Sequence, residues 1–157
     1  MINLFLSYSH ANTRRAKELR DRLAAGGAQC WLDSGSLRAG QDFPLEITRA
    51  IRASDALVLL LSKESNASDF VHREVALAHH FGKPVLPVRL DQAEVSDELL
   101  PYIVRSHYVQ FDRASVSELG SCLSECRIAL HTEEAKPPGP ESETGTWVTW
   151  AEFEPFT

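Results

Sequence analysis

Ala56-Leu57-Val58-Leu59-Leu60-Leu61 is a run of six consecutive apolar residues, and it gives the clearest indication of the fold class. A strand with one face in water alternates polar and apolar residues, whereas a strand inside a parallel sheet is covered on both faces. The uniform apolar run therefore predicts a central strand of a parallel sheet. Ser62 follows the run and marks its end.

Outward from this strand, apolar segments alternate with segments of helical periodicity. The other predicted strands are residues 3–7, 28–32, 83–90 and 107–111, and the predicted helices are about 12–25, 44–54, 68–81, 97–104 and 115–131. Pro84 and Pro87 cannot donate backbone hydrogen bonds, so they favour an edge position or an irregular end for the strand at 83–90. Residues 62–67 are all short or polar and are predicted to form a polar loop.

Alternating strands and helices indicate an α/β domain. The predicted fold is a flavodoxin-like three-layer sandwich, with a five-stranded parallel sheet in the order 2-1-3-4-5 and helices on both faces. Ligands of such sheets bind beyond the carboxyl ends of the strands, where the strand order reverses between strands 1 and 3. That crevice would bring together Ser7-Tyr8-Ser9, Ser62 and the helix at 68–81.

Glu74 is the unusual residue of the helix at 68–81. At 100° per residue it falls among the apolar side chains, between Phe81 and Ala78, whereas His72 and Arg73 fall on the other side. A carboxylate in an apolar sector must be paired, neutralised or exposed to a cleft, because its desolvation costs several kcal/mol. Two interpretations follow: a functional acid in the predicted crevice, or a buried structural acid that is salt-bridged to an arginine or bonded to a loop amide.

Composition and charge exclude several classes of protein. The chain has 157 residues, 43% hydrophobic, and no apolar run long enough for a membrane span. Residues 1–131 carry 16 acidic and 15 basic residues, so nothing indicates a nucleic-acid partner. The three cysteines have neither disulfide nor zinc spacing, and no signal peptide is evident, so a cytoplasmic location is predicted.

The sequence changes character after residue 131. Residues 132–157 contain six acidic residues, one lysine and a Pro/Gly-rich linker, followed by an aromatic segment with Trp147 and Trp150. We therefore divide the chain into a folded domain at 1–131 and a tail at 132–157. The tail could dock on the domain, bind a partner or lead into another domain.

Common catalytic signatures are absent. The sequence has no GxGxxG, Walker A or GxSxG motif, and its adjacent His79 and His80 fall on the polar face of their helix. No metal site is predicted.

Four segments together resemble the successive boxes of a Toll/interleukin-1 receptor (TIR) domain. They are Phe5-Leu6-Ser7-Tyr8-Ser9, Trp31-Leu32-Asp33 with Leu37 and Gly40, residues 58–62, and Ser68-Asp69-Phe70-Val71-His72-Arg73-Glu74. The resemblance covers about residues 1–131 and is strongest to the prokaryotic, NAD-cleaving branch. It implies the flavodoxin-like fold and a possible enzymatic activity.

The resemblance implies that the chain cleaves NAD⁺ at the nicotinamide–ribose bond, with Glu74 as the catalytic residue. The product would be ADP-ribose or a cyclic isomer, in bacterial anti-phage defence or cell suicide. NAD⁺ would be the substrate, with no further cofactor. The expected substrate-binding residues are Ser7, Tyr8, Ser9, Trp31, Asp33, Gly40, Phe43, Ser62 and Phe70.

Assembly is the other property that the resemblance implies. Residues 33–43 correspond to the family's BB loop, which closes over substrate and joins neighbouring protomers. The expected partners are therefore other TIR protomers and a sensor or activating domain. The alternative function is a non-enzymatic scaffold that signals through TIR–TIR contacts. Trp31 and Phe70 could also be core residues, and Ser7 and Ser62 ordinary strand-end residues.

Overall fold

The computed structural model describes residues 2–32, 45–103 and 108–124, all within one compact unit at residues 1–126. Five parallel strands form a single sheet in the order β2-β1-β3-β4-β5. The strands are β1 Asn3–Ser7, β2 Gln29–Leu32, β3 Ala56–Leu61, β4 Val85–Arg89 and β5 Val109–Gln110. The predicted flavodoxin-like sheet and its strand order are confirmed.

Helices connect the strands on both sides of the sheet. They are α1 Thr13–Ala25, α2 Leu45–Ala53, α3 Lys63–Asn66, α4 Asp69–His80, α5 Leu100–Ile103 and α6, described at residues 116–124. Two short 3-10 turns, His10–Asn12 and Phe111–Arg113, precede α1 and follow β5. Within the described ranges, every helix falls short of the length and apolarity that a membrane crossing requires.

The core is divided by the sheet into two apolar layers. On one face, Val58 and Leu60 of β3 join the buried residues of α1 and α6. On the other, Leu57, Leu59 and Leu61 join those of α2, α4 and α5. Every residue of β3 is buried, since alternate side chains enter opposite layers. The uniform apolar run was therefore correctly interpreted as a central strand.

The predicted polar loop at 62–67 is wrong, because residues 63–66 form the one-turn helix α3. Ser62 caps it: its Oγ accepts a hydrogen bond from the Ser65 N–H, and the Ser65 Oγ accepts one from the Ser62 N–H. This reciprocal pair is a capping box with serine in place of the usual Glu or Gln. Because serine stands in place of Glu or Gln, the capping box was not recognised in the sequence.

The edge position that the two prolines suggested for β4 is not observed, because β4 lies between β3 and β5. The Leu90 N–H and the Pro84 C=O both bond to β3, so even-numbered residues of β4 point their backbone groups towards β3. Pro87 therefore points its nitrogen towards β5, where the pairing begins only at Val88. No hydrogen bond to β3 is lost by the missing N–H.

Smaller predictions also need correction. The helix predicted at 97–104 begins at Leu100 as α5, with Pro101 in its first turn, where a missing N–H has no effect. β5 is only two residues long because the chain enters a 3-10 turn at Phe111.

Helix α4 begins and ends where the sequence predicts. The Ser68 Oγ accepts a hydrogen bond from the Val71 N–H, which caps the first turn. Gly82 follows the last turn with φ +71°, a conformation that residues with a Cβ rarely adopt. These two ends set the length of α4 and hence the position of Glu74 along it.

Predictions for residues 33–44, 104–107 and 125–157 lie outside the described residues. They include the BB loop, the start of the predicted fifth strand, and the tail with its boundary at residue 132. The division into 1–131 and 132–157 stays a prediction.

Candidate functional site

The carboxyl ends of β1 and β3 lie side by side in the sheet, where Ser7 of β1 is paired in register with Leu59 of β3. Beyond these ends are the 3-10 turn at His10–Asn12, helix α3 and the first turns of α4. This is the crevice that the strand order predicts for ligands.

Glu74 lies in the second turn of α4 and faces the sheet. Its neighbours on the same face, Val71, Val75 and Ala78, are fully buried, and Glu74 itself is only 2% exposed. Helical spacing alone therefore carries the carboxylate inward with the apolar side chains. Among the described residues, Glu74 is the only charged residue in the buried set.

The Glu74 carboxylate is bound by a serine of the neighbouring strand. The Ser7 hydroxyl donates a hydrogen bond to Glu74 Oε1 over 2.7 Å, and both groups are buried. A neutral hydroxyl of the sheet therefore binds this carboxylate at Oε1.

A cavity of about 300 Å³ opens at Glu74. Four residues predicted for the site line it: Tyr8, Ser9, Phe70 and Glu74. Four residues that the sequence did not single out as site residues complete the described lining: His10, Glu64, Ala67 and Ser68. Its volume is at the lower end of the range for small-molecule sites.

The four additional residues lie in or beside elements that were not predicted from the sequence or were not assigned a functional role. Glu64 belongs to α3, which was predicted to be a loop, and Ser68 is the N-cap of α4. His10 begins a 3-10 turn within a segment that looks like a plain polar turn. A capping-box search that allows serine at the third helical position would have found α3 and hence Glu64.

Ser62 lies outside the described lining of this cavity. Its hydroxyl is 1% exposed, caps α3 and donates a hydrogen bond to Asn12 Oδ1 over 2.7 Å. Ser62 instead lines a neighbouring cavity of about 380 Å³. Asn12 also donates to Glu64 Oε1 over 3.2 Å, so Asn12 and Glu64 form part of the wall between the two cavities.

Of the remaining predicted site residues, Trp31 lies outside the described lining of this cavity. Trp31 of β2 is 36% exposed and stacks on Phe5, with ring centroids 4.9 Å apart. Asp33, Gly40 and Phe43 lie outside the described residues.

The charges around the Glu74 cavity favour a cationic group. Glu64 and Glu74 supply two carboxylic acids, His10 is the only titratable base, and no lysine or arginine belongs to the described lining. A carboxylate held in a buried site interacts more strongly with a developing positive charge than it would in water. The arrangement can therefore stabilise a cationic transition state.

The neighbouring cavity differs in charge, since Arg14 and Arg15 line it together with Asp91. A hydrogen bond from the Lys63 N–H lowers the pKa of Asp91 below its ordinary value of 3.8; burial opposes this, and the Ala93 N–H, Arg15 and Arg89 add to it. In the described ranges, no cluster of three or more His, Cys, Asp or Glu side chains is suited to a metal ion.

Comparison with protein families gives a match over most of the chain. A family model described as "TIR domain" matches residues 4–123. The Brachypodium distachyon protein named "Probable 2' cyclic ADP-D-ribose synthase BdTIR" is 32% identical over 112 residues, which is 70% of this chain. The chain spans about half the length of that relative, since the match covers 50% of it.

Solved structures of low sequence identity share the fold. The TIR domain of the Toll-related receptor TRR-2 from Hydra magnipapillata superposes with a TM-score of 0.56 at 15% identity, covering 68% of this chain and 82% of that one. The CMP N-glycosidase BcmB of Clostridium botulinum gives a TM-score of 0.50 at 17% identity, covering 71% and 93%.

Proposed function

The chain belongs to the TIR domain family, and from that premise we propose that it cleaves NAD⁺ between nicotinamide and ribose, with Glu74 as the catalytic carboxylate. The observation that carries the proposal is the buried Glu74, held by Ser7 at a cavity of about 300 Å³. The relative named as a cyclic ADP-ribose synthase supports NAD⁺ as the substrate.

The chemistry of NAD⁺ suits a single carboxylate. As the bond between ribose C1′ and the ring nitrogen breaks, its electron pair passes to the nitrogen, so nicotinamide leaves as a neutral molecule. No acid has to protonate it. The ribose is left with oxocarbenium-like positive charge at C1′, which a carboxylate beside it stabilises. Glu74 would supply that carboxylate.

The second half of the reaction forms a new bond at C1′. Attack by water gives ADP-ribose, and attack by a hydroxyl of the same molecule gives a cyclic isomer. In both cases the attacking oxygen loses a proton, to Glu74 or to solvent. The name of the relative favours a cyclic product as the first to test, by chromatographic separation of the products beside authentic standards.

The other lining residues suit the two parts of the reacting nucleoside. Phe70 is half-buried and offers an aromatic face to the nicotinamide ring. Tyr8 and Ser9 offer hydroxyls at the cavity for ribose or amide groups. In this proposal NAD⁺ is a substrate, and no further cofactor takes part.

The activity is proposed to require assembly with other TIR protomers through the BB loop, residues 33–43, under the control of a sensor or activating domain. The proposed setting is the cytoplasm of a bacterial cell in anti-phage defence. Specific activity should then rise with protein concentration, and Gly40→Pro should lower it while the domain stays folded. If specific activity does not change with protein concentration and is unaffected by Gly40→Pro, the assembly proposal is contradicted.

The decisive test is Glu74→Gln, assayed by nicotinamide release. Glutamine keeps an acceptor oxygen for Ser7 but loses the negative charge, so turnover should fall by at least ~10²-fold. Stability should stay level or rise, because an amide costs less to bury than a carboxylate. Glu118→Gln, at an exposed position of α6, is the control and should change neither quantity.

The result also separates the enzyme from a scaffold. Undetectable release of nicotinamide by the wild-type chain at all concentrations, with TIR–TIR association intact, would favour the scaffold. Full turnover in Glu74→Gln with a large loss of stability would instead assign Glu74 a structural role.

A further inference from the structure

Ser7 stands out among the buried polar residues because of where its hydroxyl is. Phe5 of β1 packs in the apolar layer of α2 and α4, and Ser7, two residues later, points to the same face of the sheet. Its hydroxyl is fully buried there and bonded to Glu74 Oε1 over 2.7 Å.

We propose that Ser7 is a positioning residue for Glu74: it fixes the direction in which the carboxylate meets the substrate and does not touch the substrate itself. This inference rests on the proposed function. It replaces the expected role of Ser7 as a direct substrate ligand with a role that acts through Glu74.

Three observations carry the proposal. The 2.7 Å distance is within the range of a hydroxyl hydrogen bond. Ser7 is 0% exposed and is not among the residues that line the cavity, whereas Glu74 is among them. Ser7 is also the last residue of β1, paired with β3, so its backbone is fixed by the sheet. A rigid strand therefore holds one oxygen of a side chain that is carried by a helix.

The physical effect of such a bond is orientation. A glutamate side chain has three rotatable torsions, and catalysis requires its oxygens to lie within a fraction of an ångström of the developing charge. A misplacement of about 1 Å can lower a catalytic rate by about 10²-fold. Loss of the Ser7 hydroxyl should therefore lower kcat and leave substrate affinity nearly unchanged.

The test compares Ser7→Ala, Ser7→Cys and Ser7→Thr with the wild-type chain. Ser7→Ala should lower kcat by about 10- to 100-fold and change KM by less than about 3-fold. Ser7→Cys keeps nearly the same shape but has only a weak donor, so it should resemble Ser7→Ala. Ser7→Thr keeps the hydroxyl and should recover most of kcat. Thermal melts verify that each variant is folded.

Ser54→Ala is the matched control. Ser54 is also a buried serine, and its hydroxyl donates a hydrogen bond of the same 2.7 Å length, but to the backbone carbonyl of Ala50 in α2. Because Ser54 precedes β3, at the opposite end of the sheet from the cavity, Ser54→Ala should leave kcat unchanged. A kcat in Ser7→Ala equal to that of Ser54→Ala would overturn the proposal.

A double-mutant cycle separates positioning from direct contact. If Ser7 acts through Glu74, adding Ser7→Ala to Glu74→Gln should lower the residual rate by less than about 2-fold. The full 10- to 100-fold loss on that background, or a loss that appears mainly in KM, would assign Ser7 to the substrate and overturn positioning.

Failure of the proposed function would look different. A wild-type chain without nicotinamide release would overturn NAD⁺ cleavage. The Ser7–Glu74 contact is then tested by a double-mutant cycle of Ser7→Ala and Glu74→Ala, in which the stability of each variant is measured by denaturant unfolding. Coupling of at least about 3-fold in the unfolding equilibrium constant supports the contact, and additivity overturns it.

Discussion

The ends of β1 and β3 present the same residue with different partners. Ser7 ends β1 and Ser62 follows β3; both are buried, and both follow an apolar run. The Ser7 hydroxyl bonds to the Glu74 carboxylate, whereas the Ser62 hydroxyl caps α3 and bonds to Asn12. A residue type and its place in a strand therefore do not define its role; the side chain that reaches it does.

This difference predicts opposite effects of the same substitution. Ser7→Ala should affect turnover more than stability, and Ser62→Ala should affect stability more than turnover.

Ser62→Ala should give the largest loss of stability. It removes the acceptor of the Ser65 N–H at the start of α3 and the donor to Asn12, both in a buried place. Loss of a helix cap and of a buried hydrogen bond should lower the free energy of unfolding by about 2 kcal/mol. Nicotinamide release per folded molecule should change by less than about 3-fold. Denaturant melts and the release assay measure the two quantities. A Ser62→Ala variant that keeps its stability but loses most of its turnover would contradict the predicted difference between Ser7 and Ser62.

Asn12→Ala should give a smaller loss, of about 1 kcal/mol. Asn12 is half-buried, and its side-chain amide accepts a hydrogen bond from Ser62 and donates one to Glu64. Because Ser62 and Asn12 share one bond, the double variant should lose less stability than the sum of the single ones. Denaturant melts of all four proteins measure the coupling. Additivity within about 0.3 kcal/mol would show that the Ser62–Asn12 bond contributes nothing.

Asp91 should give the smallest effect, and one that depends on pH. Hydrogen bonding to the Lys63 N–H lowers the pKa of Asp91, so its ionised form is favoured in the folded state. The stabilisation is then present above about pH 3.8, the ordinary value, and is lost as the pH falls through the lower folded-state pKa. Melts of the wild type and Asp91→Asn should differ at pH 6, and the difference should shrink as the pH falls below about 3.8. A constant difference across this range would exclude the ionised carboxylate as its cause.

Much of the fold was predictable because it depends on local patterns. The apolar run of β3, the cap and stop of α4 and the alternation of strands with helices specify a doubly wound parallel sheet. Helix α3 was missed because a one-turn helix has no apolar periodicity, and its serine capping box resembles a loop. The predicted strand order placed β4 correctly, but the edge position suggested by its two prolines was wrong, because the missing N–H of Pro87 is costly only on the β3 side.

The candidate site was predictable to a similar degree. Glu74 could be found because a charged residue in an apolar helical sector requires an explanation. The contribution of His10 could not be found, because it depends on where a short turn places its side chain. Glu64 could have been found only by a capping-box search that allows serine at the third helical position.

Three features follow from the sequence alone, since they depend on the periods of strands and helices: the fold class, the favoured strand order and the inward direction of Glu74. Which strand-end serine meets that carboxylate depends instead on the packing of the folded chain. Residues 7 and 74 are 67 positions apart, and the 2.7 Å bond between them depends on how α4 packs across β1. The chain's periodicity places each side chain on a face, but a contact between two faces is settled only when they are packed together.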